Sequence, residues 1–261
     1  MTTGALRVDY ARVALGKYGK DEIPAGGQAI RLGGPYMPDP NPKKGSSESA
    51  RFMRELQHLL GGAKLQGAVD ILLSSWPQEK LVALLEDKDA AVRRLTALSL
   101  SLVGDLGAVK PLAAALHDAD ATVNEAAEHA LWGIWFRSGK GRSLNHLKCG
   151  LDHLKHNNFE TAIEKFSLAI EADPGFSEAF NQRAIAYYLE ERYDESIRDC
   201  RRVLSLMPQH FGAMAGMGHC YAHIGNMTDA ARCYEKSLAV NPRQECIAQS
   251  LEKIQRYLRS A

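Results

Sequence analysis

The segment EADPGFSEAF (171–180) returns as SLMPQHFGAM (205–214) and again as AVNPRQECIA (239–248). The prolines of these segments, Pro174, Pro208 and Pro242, follow one another at intervals of 34 residues. A proline cannot donate to the helical hydrogen-bond ladder and restricts the residue before it, so each should end a helix. A constant interval of this length indicates a structural repeat.

Four kinds of position recur within each unit. They are a small residue (Gly150, Ala184, Gly218), a ring (His153, Tyr187, Tyr221), a second small residue (Ala162, Ser196, Ala230) and, four residues later, Phe166, Cys200 and Tyr234. This pattern resembles the tetratricopeptide repeat and is matched three times over residues 143–244. The resemblance implies helix pairs that stack into an α-solenoid, with small residues where two helices approach closely.

Hydrophobic periodicity supports the same fold independently. Residues 158–172 place apolar side chains at the i, i+3, i+4, i+7 spacing of an amphipathic helix. After Pro242 a last helix is predicted, with an apolar stripe formed by Ile247, Leu251, Ile254 and Leu258. Charged residues lie between them, as expected for the polar cap of a solenoid.

A second repeat, with a period of 31 residues, lies upstream. It comprises LVALLEDKDAAVRRLTALSLSLVG (81–104) and PLAAALHDADATVNEAAEHALWGIW (111–135). These strings resemble HEAT repeats, particularly the short type first seen in bilin-lyase subunits. Arg93 stands where that family usually has arginine, whereas the second unit has Asn124 there. Two helices predicted at about 49–60 and 64–76 form either a degenerate first pair or a cap.

The predicted fold class is therefore all-α, with four parts. Residues 1–47 form a Gly/Pro-rich arm that is flexible or irregular, and its P-x-x-P spacing is more typical of a linker than of a ligand. Residues 48–136 carry the HEAT-like repeats and residues 137–143 a basic hinge. Residues 144–261 carry three tetratricopeptide-like repeats and a C-terminal capping helix.

Composition narrows the classes of partner and the compartment. The chain has 261 residues and a net charge of +1, so no overall field attracts nucleic acid or an anionic membrane. Its five cysteines form no C-x-x-C pair, which favours a reducing compartment, and the predicted location is the cytoplasm. No apolar run approaches the ~20 residues that span a bilayer.

The usual catalytic and cofactor motifs are not found in the sequence, so it predicts no enzyme, no cofactor and no metal. His146, Cys149 and His153 share one helix face, but they lack an obvious fourth ligand and are interpreted as structural. Asp87-x-Asp89, like the same pair one repeat later, is interpreted as a helix cap rather than a cation site.

The first helices of successive tetratricopeptide units line a concave groove that holds peptides in the resembled family. The predicted partner-binding groove residues are Asn181, Ile185, Tyr188, Leu189, Ala215, His219 and His223. The two histidines are interpreted mainly as polar lining, with ligand contact or metal binding as alternatives.

The first unit carries leucines at its groove positions, and a stripe of this kind is too apolar to leave exposed. We expect the HEAT-like helices to cover it. The predicted seam between the two arrays consists of Leu144, Leu147, Leu151, Leu154, Trp132, Trp135 and Phe136. A hydrophobic peptide is the alternative cover.

Tetratricopeptide co-chaperones hold the acidic tails of chaperones with a clamp of Lys, Asn and Arg. The corresponding positions in this sequence are Leu147, Leu151, Gln182, Gly212 and Gly216. Charge-assisted binding of a terminal carboxylate is not expected from these side chains. The sequence therefore predicts that chaperone tails are not the partner.

Together these features predict a cytoplasmic adaptor that binds a protein or peptide partner and binds neither nucleic acid nor membrane. The alternative is an accessory subunit of an enzyme, such as a chromophore or prosthetic-group lyase. That alternative depends only on the HEAT-like resemblance, and a shared fold is weak support for shared chemistry.

Overall fold

The computed structural model describes residues 47–60 and 65–260 of the chain. Over these residues it contains 13 α-helices and one short 3₁₀ helix and no strand, which confirms the all-α class. The helices belong to two compact units. The N-terminal unit is described over residues 47–60 and 65–134, and the C-terminal unit over residues 135–260. The predicted arm, apart from Ser47, lies outside the described residues.

Six helices occupy residues 47–137. They are α1 (Ser47–Leu60), α2 (Leu65–Ser75), α3 (Gln78–Leu84), α4 (Ala90–Val103), α5 (Val109–Ala115) and α6 (Ala121–Arg137), whose last three residues belong to the C-terminal unit. Apolar residues that recur at the 31-residue interval are buried, namely Leu81, Leu85, Val92 and Leu100 with their equivalents Leu112, Leu116, Val123 and Leu131. The repeat predicted from the sequence therefore forms the core of this unit.

The paired aspartates cap helices, as the sequence predicts. Asp89 and Asp120 each accept a hydrogen bond from the backbone N–H two residues ahead, at 2.9 and 2.8 Å. Asp87 and Asp118 accept in the same way from the N–H groups of Asp89 and Asp120, both at 2.8 Å. The hydroxyl and backbone N–H of Thr122 hold the pKa of Asp120 below its usual value. Caps of this kind stabilise a helix by about 1 kcal/mol.

Arg93 joins the two repeats of the N-terminal unit. Its Nε and Nη2 donate to the Asp118 carboxylate at 2.7 and 2.8 Å, and its Nη1 donates to the Asp87 carbonyl oxygen at 2.8 Å. The guanidinium lowers the pKa of Asp118. One repeat later, Asn124 Nδ2 donates to the Asp118 carbonyl oxygen at 2.9 Å. Asn124 thus makes the same hydrogen bond to a backbone carbonyl within its own repeat as Arg93 does. It does not make the second contact of Arg93, the ion pair with an aspartate of the following repeat.

Seven helices follow in the C-terminal unit: α7 (Arg142–Lys155), α8 (Phe159–Ala172), α9 (Ser177–Leu189), α10 (Tyr193–Leu206), α11 (Phe211–His223), α12 (Met227–Val240) and α13 (Glu245–Ser260). Successive helices pack together, and α9 also contacts α7 and α11. We call α7, α9 and α11 the inner row, and α8, α10 and α12 the outer row. In α13, Ile247 and Ile254 are buried, whereas Leu258, near the helix end, is 41% exposed.

The turn between the two helices of each unit has the same geometry every time. It contains one residue of positive φ, which is Asn157 (60°), Glu191 (60°) or Gly225 (83°). The next backbone N–H donates at 2.9 Å to the carbonyl oxygen of the recurring ring residue, His153, Tyr187 or Tyr221. This Schellman closure satisfies carbonyl groups that the end of a helix otherwise leaves without partners. The ring position therefore marks where each inner helix ends.

The recurring small residues lie where the two helices of a unit touch. A Cβ atom added to Gly150 would lie 2.5 Å from the ring of Phe166, and one added to Gly218 would lie 2.4 Å from the ring of Tyr234. Real Cβ atoms do not approach rings so closely. The predicted close approach of the paired helices is therefore confirmed in the first and third units.

Residue sizes are matched in the middle unit as well, where Ala184 and Cys200 are fully buried in one cluster. We expect Gly150→Ala to reduce the free energy of unfolding by about 2 kcal/mol through overpacking against Phe166, although alanine is ordinarily the better helix former by about 1 kcal/mol. Combined with Phe166→Cys, the variant has the same alanine and cysteine pair as the middle unit. In the Phe166→Cys background, Gly150→Ala should therefore lose most of its destabilising effect. Urea denaturation of the single and double variants measures the coupling. Equal costs of Gly150→Ala in both backgrounds would contradict the size matching.

Candidate functional site

Helix α9, at the centre of the inner row, is buried around almost its whole circumference. Of its 13 residues only Arg183 and Tyr187 are not classed as buried. The inner helix of an α-solenoid normally leaves one face open to the groove. Here the predicted groove residues of α9 are covered by the chain itself, namely Asn181, Ile185, Tyr188 and Leu189.

The groove residues of α11 are enclosed to a similar degree. Ala215 and His219 are 2% and 1% exposed, and His223, at the end of the helix, is partly buried. The predicted groove residues therefore lie on two neighbouring helices of the inner row. Two clusters of polar side chains lie among them, one at each end of α9, with Asn181 in the first and Tyr188 and His223 in the second.

The first cluster surrounds Glu178, whose side chain is fully buried near the start of α9. Its Oε1 accepts hydrogen bonds from Asn181 Nδ2 at 3.0 Å and Gln182 Nε2 at 2.6 Å. Its Oε2 lies 3.1 Å from His210 Nε2. Both carboxylate oxygens thus face nitrogen donors, so neither oxygen is buried without a hydrogen-bonding partner.

His210 is fixed in one neutral tautomer by its two partners. Its Nδ1 accepts the backbone N–H of Ala213 at 3.1 Å, so the ring proton lies on Nε2 and is donated to Glu178. The imidazole also stacks on Trp135, with ring centroids 4.1 Å apart. The buried Glu178 carboxylate therefore faces three neutral donors. One of them, His210, is itself held in place by its capping hydrogen bond to Ala213 and by stacking on the Trp135 indole.

The second cluster is aromatic and lies at the other end of α9. The Tyr188 hydroxyl is 2.8 Å from His223 Nε2, and the Tyr193 hydroxyl is 3.3 Å from His223 Nδ1. The Tyr193 and His223 rings also stack, with centroids 5.1 Å apart. Because a tyrosine hydroxyl can donate or accept, this pair accommodates either tautomer of the imidazole.

His219 lies deeper between α11 and α12. Its Nδ1 is hydrogen-bonded to the Tyr234 hydroxyl at 2.8 Å. Burial, with a smaller contribution from His223, lowers the pKa of His219 to about 3. Burial also raises the pKa of Tyr234. Both side chains are therefore neutral at ordinary pH and serve as uncharged hydrogen-bonding groups.

The predicted seam residues of the C-terminal unit are largely enclosed within that unit. Leu147 and Leu154 are buried in its core, and Leu144, Leu151 and Phe136 pack against the same core. Trp135 is fully buried against His210 and Phe211. The part of the seam that involves Trp132, which lies in the N-terminal unit, stays a prediction.

The structure gives no support to a metal at the histidines or cysteines. Within residues 47–60 and 65–260, no group of three or more His, Cys, Asp or Glu side chains is arranged to hold an ion. Cys149 is exposed while His146 and His153 are partly buried. His219 and His223 are engaged by tyrosine hydroxyls rather than by each other.

The sequence reasoning missed the role of His210. It occupies the N-cap position of α11, one residue before the helix, where a side-chain acceptor is expected. That position was a usable signal. Its contact with Trp135, which is 75 positions earlier in the chain, had no local signal.

The recurring helix pairs, capped turns and matched interfaces define a protein of helical repeats. Comparison with known families identifies them. A HEAT-repeat model matches residues 59–132, and tetratricopeptide-repeat models match residues 177–210 and 212–244. The chain is a repeat protein that carries HEAT repeats followed by tetratricopeptide repeats. The first predicted tetratricopeptide unit has the equivalent helix pair, α7 and α8.

Relatives match this chain over part of their length. A TPR repeat-containing protein of Rhizobium etli is 31% identical over 81 residues, which are 31% of this chain and 40% of that protein. The small glutamine-rich tetratricopeptide repeat-containing protein 2 of Mycosarcoma maydis is 27% identical over 104 residues, or 40% of this chain and 30% of that protein. The chain thus spans two fifths or less of these relatives.

A solved structure with the repeat fold is the first TPR of Spaghetti (RPAP3) bound to the HSP90 peptide SRMEEVD. It is 22% identical, and the match covers 45% of this chain and 93% of that chain with a TM-score of 0.44.

Because the pKa of His219 is low, we expect this residue to make the folded protein less stable at acidic pH. The imidazole protonates near pH 6.5 in the unfolded chain but stays neutral in the folded chain down to about pH 3. Lowering the pH from 7 to 4.5 therefore favours the unfolded state, at this residue by about 2–3 kcal/mol. Urea denaturation at the two pH values should show a smaller loss for His219→Gln than for the unmodified chain. The exposed control His156→Gln should keep the full loss, and identical losses in all three chains would contradict the assignment.

Proposed function

We propose that the protein is a non-catalytic adaptor that binds a protein or peptide partner along the inner row of the C-terminal unit. The observation that carries the proposal is the inner row itself, in which α7, α9 and α11 lie side by side. Hydrogen-bonding side chains such as Asn181, Tyr188 and His223 lie on α9 and α11 among apolar ones. Such a surface suits an extended or helical peptide, whose backbone and side chains need both kinds of contact.

The proposed partner is not the acidic tail of a chaperone. The clamp positions hold two leucines, two glycines and Gln182, and none of these side chains carries a positive charge. The glutamine amide is already donated to Glu178. A terminal carboxylate would therefore meet the buried Glu178 carboxylate without a cation between them, which is unfavourable.

The accessory-subunit alternative has no support in the repeat families and relatives described above. We therefore propose no catalytic residue and no cofactor. None of the helices in the described residues is both long and apolar enough to cross a membrane. We propose a cytoplasmic location and a protein partner rather than nucleic acid or a membrane.

A chaperone-tail peptide tests the missing clamp directly. We expect fluorescein-labelled SRMEEVD to show no saturable anisotropy change with the full chain up to millimolar concentration, because the clamp positions lack Lys and Arg. An established clamp domain assayed with the same peptide provides the positive control. Saturable binding that is lost on Gln182→Ala would show that this groove holds carboxylate tails by other means, and would contradict the proposal.

Capture of partners from the source cell tests the adaptor function itself. The tagged full chain should recover proteins that are lost with His223→Ala, because that side chain organises Tyr188 and Tyr193 at the groove. Ile224→Ala, one residue further on and 48% exposed, is the matched control and should recover the same proteins as the unmodified chain. Circular dichroism establishes that both variants fold. An identical set of proteins with all three chains would exclude this part of the groove from partner binding.

A further inference from the structure

The predicted groove residues of the C-terminal unit are buried by other residues of the same chain. Tyr188 and His219, on two different inner helices, are each only 1% exposed, and Asn181 and Ile185 are each 2% exposed. The structure contains a single chain, so whatever covers these residues belongs to that chain.

The buried chemistry of the groove specifies what a segment bound there should carry. Glu178 is fully buried, and no lysine or arginine lies within 4 Å of its carboxylate among the described residues. The Gln182 Oε1 is also buried and accepts no hydrogen bond there. Turning the amide over would point Oε1 at the Glu178 carboxylate, so its orientation is fixed. An uncompensated carboxylate and a neighbouring acceptor favour an occupant with a cation or several N–H donors.

The rest of the lining favours apolar side chains in the same occupant. The groove positions of the first unit are leucines, and those of the second and third include Ile185, Leu189, Ala215 and Ala222. Units two and three have no lysine or arginine at any groove position. The groove therefore suits a basic, apolar segment, which is the opposite of an acidic tail.

Residues 1–21 of the same chain have this composition. The segment MTTGALRVDYARVALGKYGKD contains four cations against two acids and no proline. Its larger aliphatic side chains are Leu6, Val8, Val13 and Leu15, interspersed with Arg7, Arg12 and Lys17. The following residues, 22–46, are rich in glycine and proline and carry the chain to α1. A stretch of that length reaches up to about 80 Å when extended, so distance does not restrict where residues 1–21 bind.

We propose that residues 1–21 bind in the groove of their own chain, with apolar side chains on the inner row and a basic side chain beside Glu178 and Gln182. The segment acts as an internal competitor, and a partner must displace it. The consequence for a partner depends on the proposed adaptor function, whereas the internal binding itself does not.

A peptide in trans tests whether the groove is already occupied. The full chain carrying Leu6→Asp and Leu15→Asp should bind a fluorescein-labelled peptide of residues 1–21 at least tenfold more tightly than the unmodified chain. The matched control carries Ile30→Asp and Leu32→Asp, in the glycine- and proline-rich stretch, and should bind as weakly as the unmodified chain. Equal binding to all three chains, or binding to none, would overturn the proposal.

The charge and the location of binding are tested with the same reagents. A peptide with Arg7, Arg12, Lys17 and Lys20 changed to Gln should bind the Leu6→Asp/Leu15→Asp chain at least fivefold more weakly than the unmodified peptide. Hydrogen exchange should show that the unmodified peptide protects α9 and α11. Equal affinity of the two peptides, or protection confined to α1–α5, would overturn the proposed placement.

Light scattering separates binding within one chain from exchange between two. The unmodified protein should have the mass of one chain at all concentrations. A dimer that becomes a monomer in the Leu6→Asp/Leu15→Asp chain would place the segment in a second copy and overturn the internal arrangement. Failure of these peptide experiments leaves the adaptor function standing if His223→Ala still loses captured partners. Loss of the adaptor function is recognised by the capture experiment alone.

Discussion

The C-terminal unit depends on one contact, the meeting of a small residue on an inner helix with a larger one on its outer partner. At Gly150 and Gly218 the ring of the facing residue occupies the space that a side chain would fill. This contact sets how closely the two helices of a pair approach. The next helix pair then packs against the surface that these two helices form. Because interiors are packed to crystal-like density, a change at one pair is transmitted to its neighbours rather than absorbed. The inner row, and any groove along it, follows from this repeated contact.

In each of the two compact units, one arginine side chain also connects successive helices. In the N-terminal unit Arg93 bridges to Asp118 of the next repeat, and in the C-terminal unit Arg183 bonds to Asp199 and to Ser167 at 2.8–2.9 Å. Both ion pairs are substantially buried and bidentate, the geometry in which the desolvation cost is best compensated. Packing contacts along a solenoid are alike and tolerate slippage, whereas a buried fork of hydrogen bonds has one register. The arginines therefore specify the alignment that the apolar stripes leave open.

Local physics made most of the fold predictable from the sequence. Pro174 and its equivalents end outer helices because of backbone constraints within a few residues, and Asp89 caps α4 for the same kind of reason. The groove was predictable only as a set of positions. The stacking of Trp135 on His210, which are 75 positions apart in the chain, has no local pattern. The middle unit differs in detail, because Ala184 and Cys200 replace the glycine and the ring that meet in the other two pairs.

The electrostatics of the groove connect these observations to the choice of partner. Resemblance at the level of repeats implies a surface for peptides, but it does not fix the sign of the charge that the surface accepts. Here Glu178 is the only acidic side chain at the groove positions of the second and third units, which contain no lysine or arginine, and its oxygens face the side-chain nitrogens of Asn181, Gln182 and His210. A neutral donor set stabilises a carboxylate without cancelling its field, because the net charge of the cluster remains negative. In the arrangement that we propose, the groove of this chain therefore favours a basic and apolar ligand.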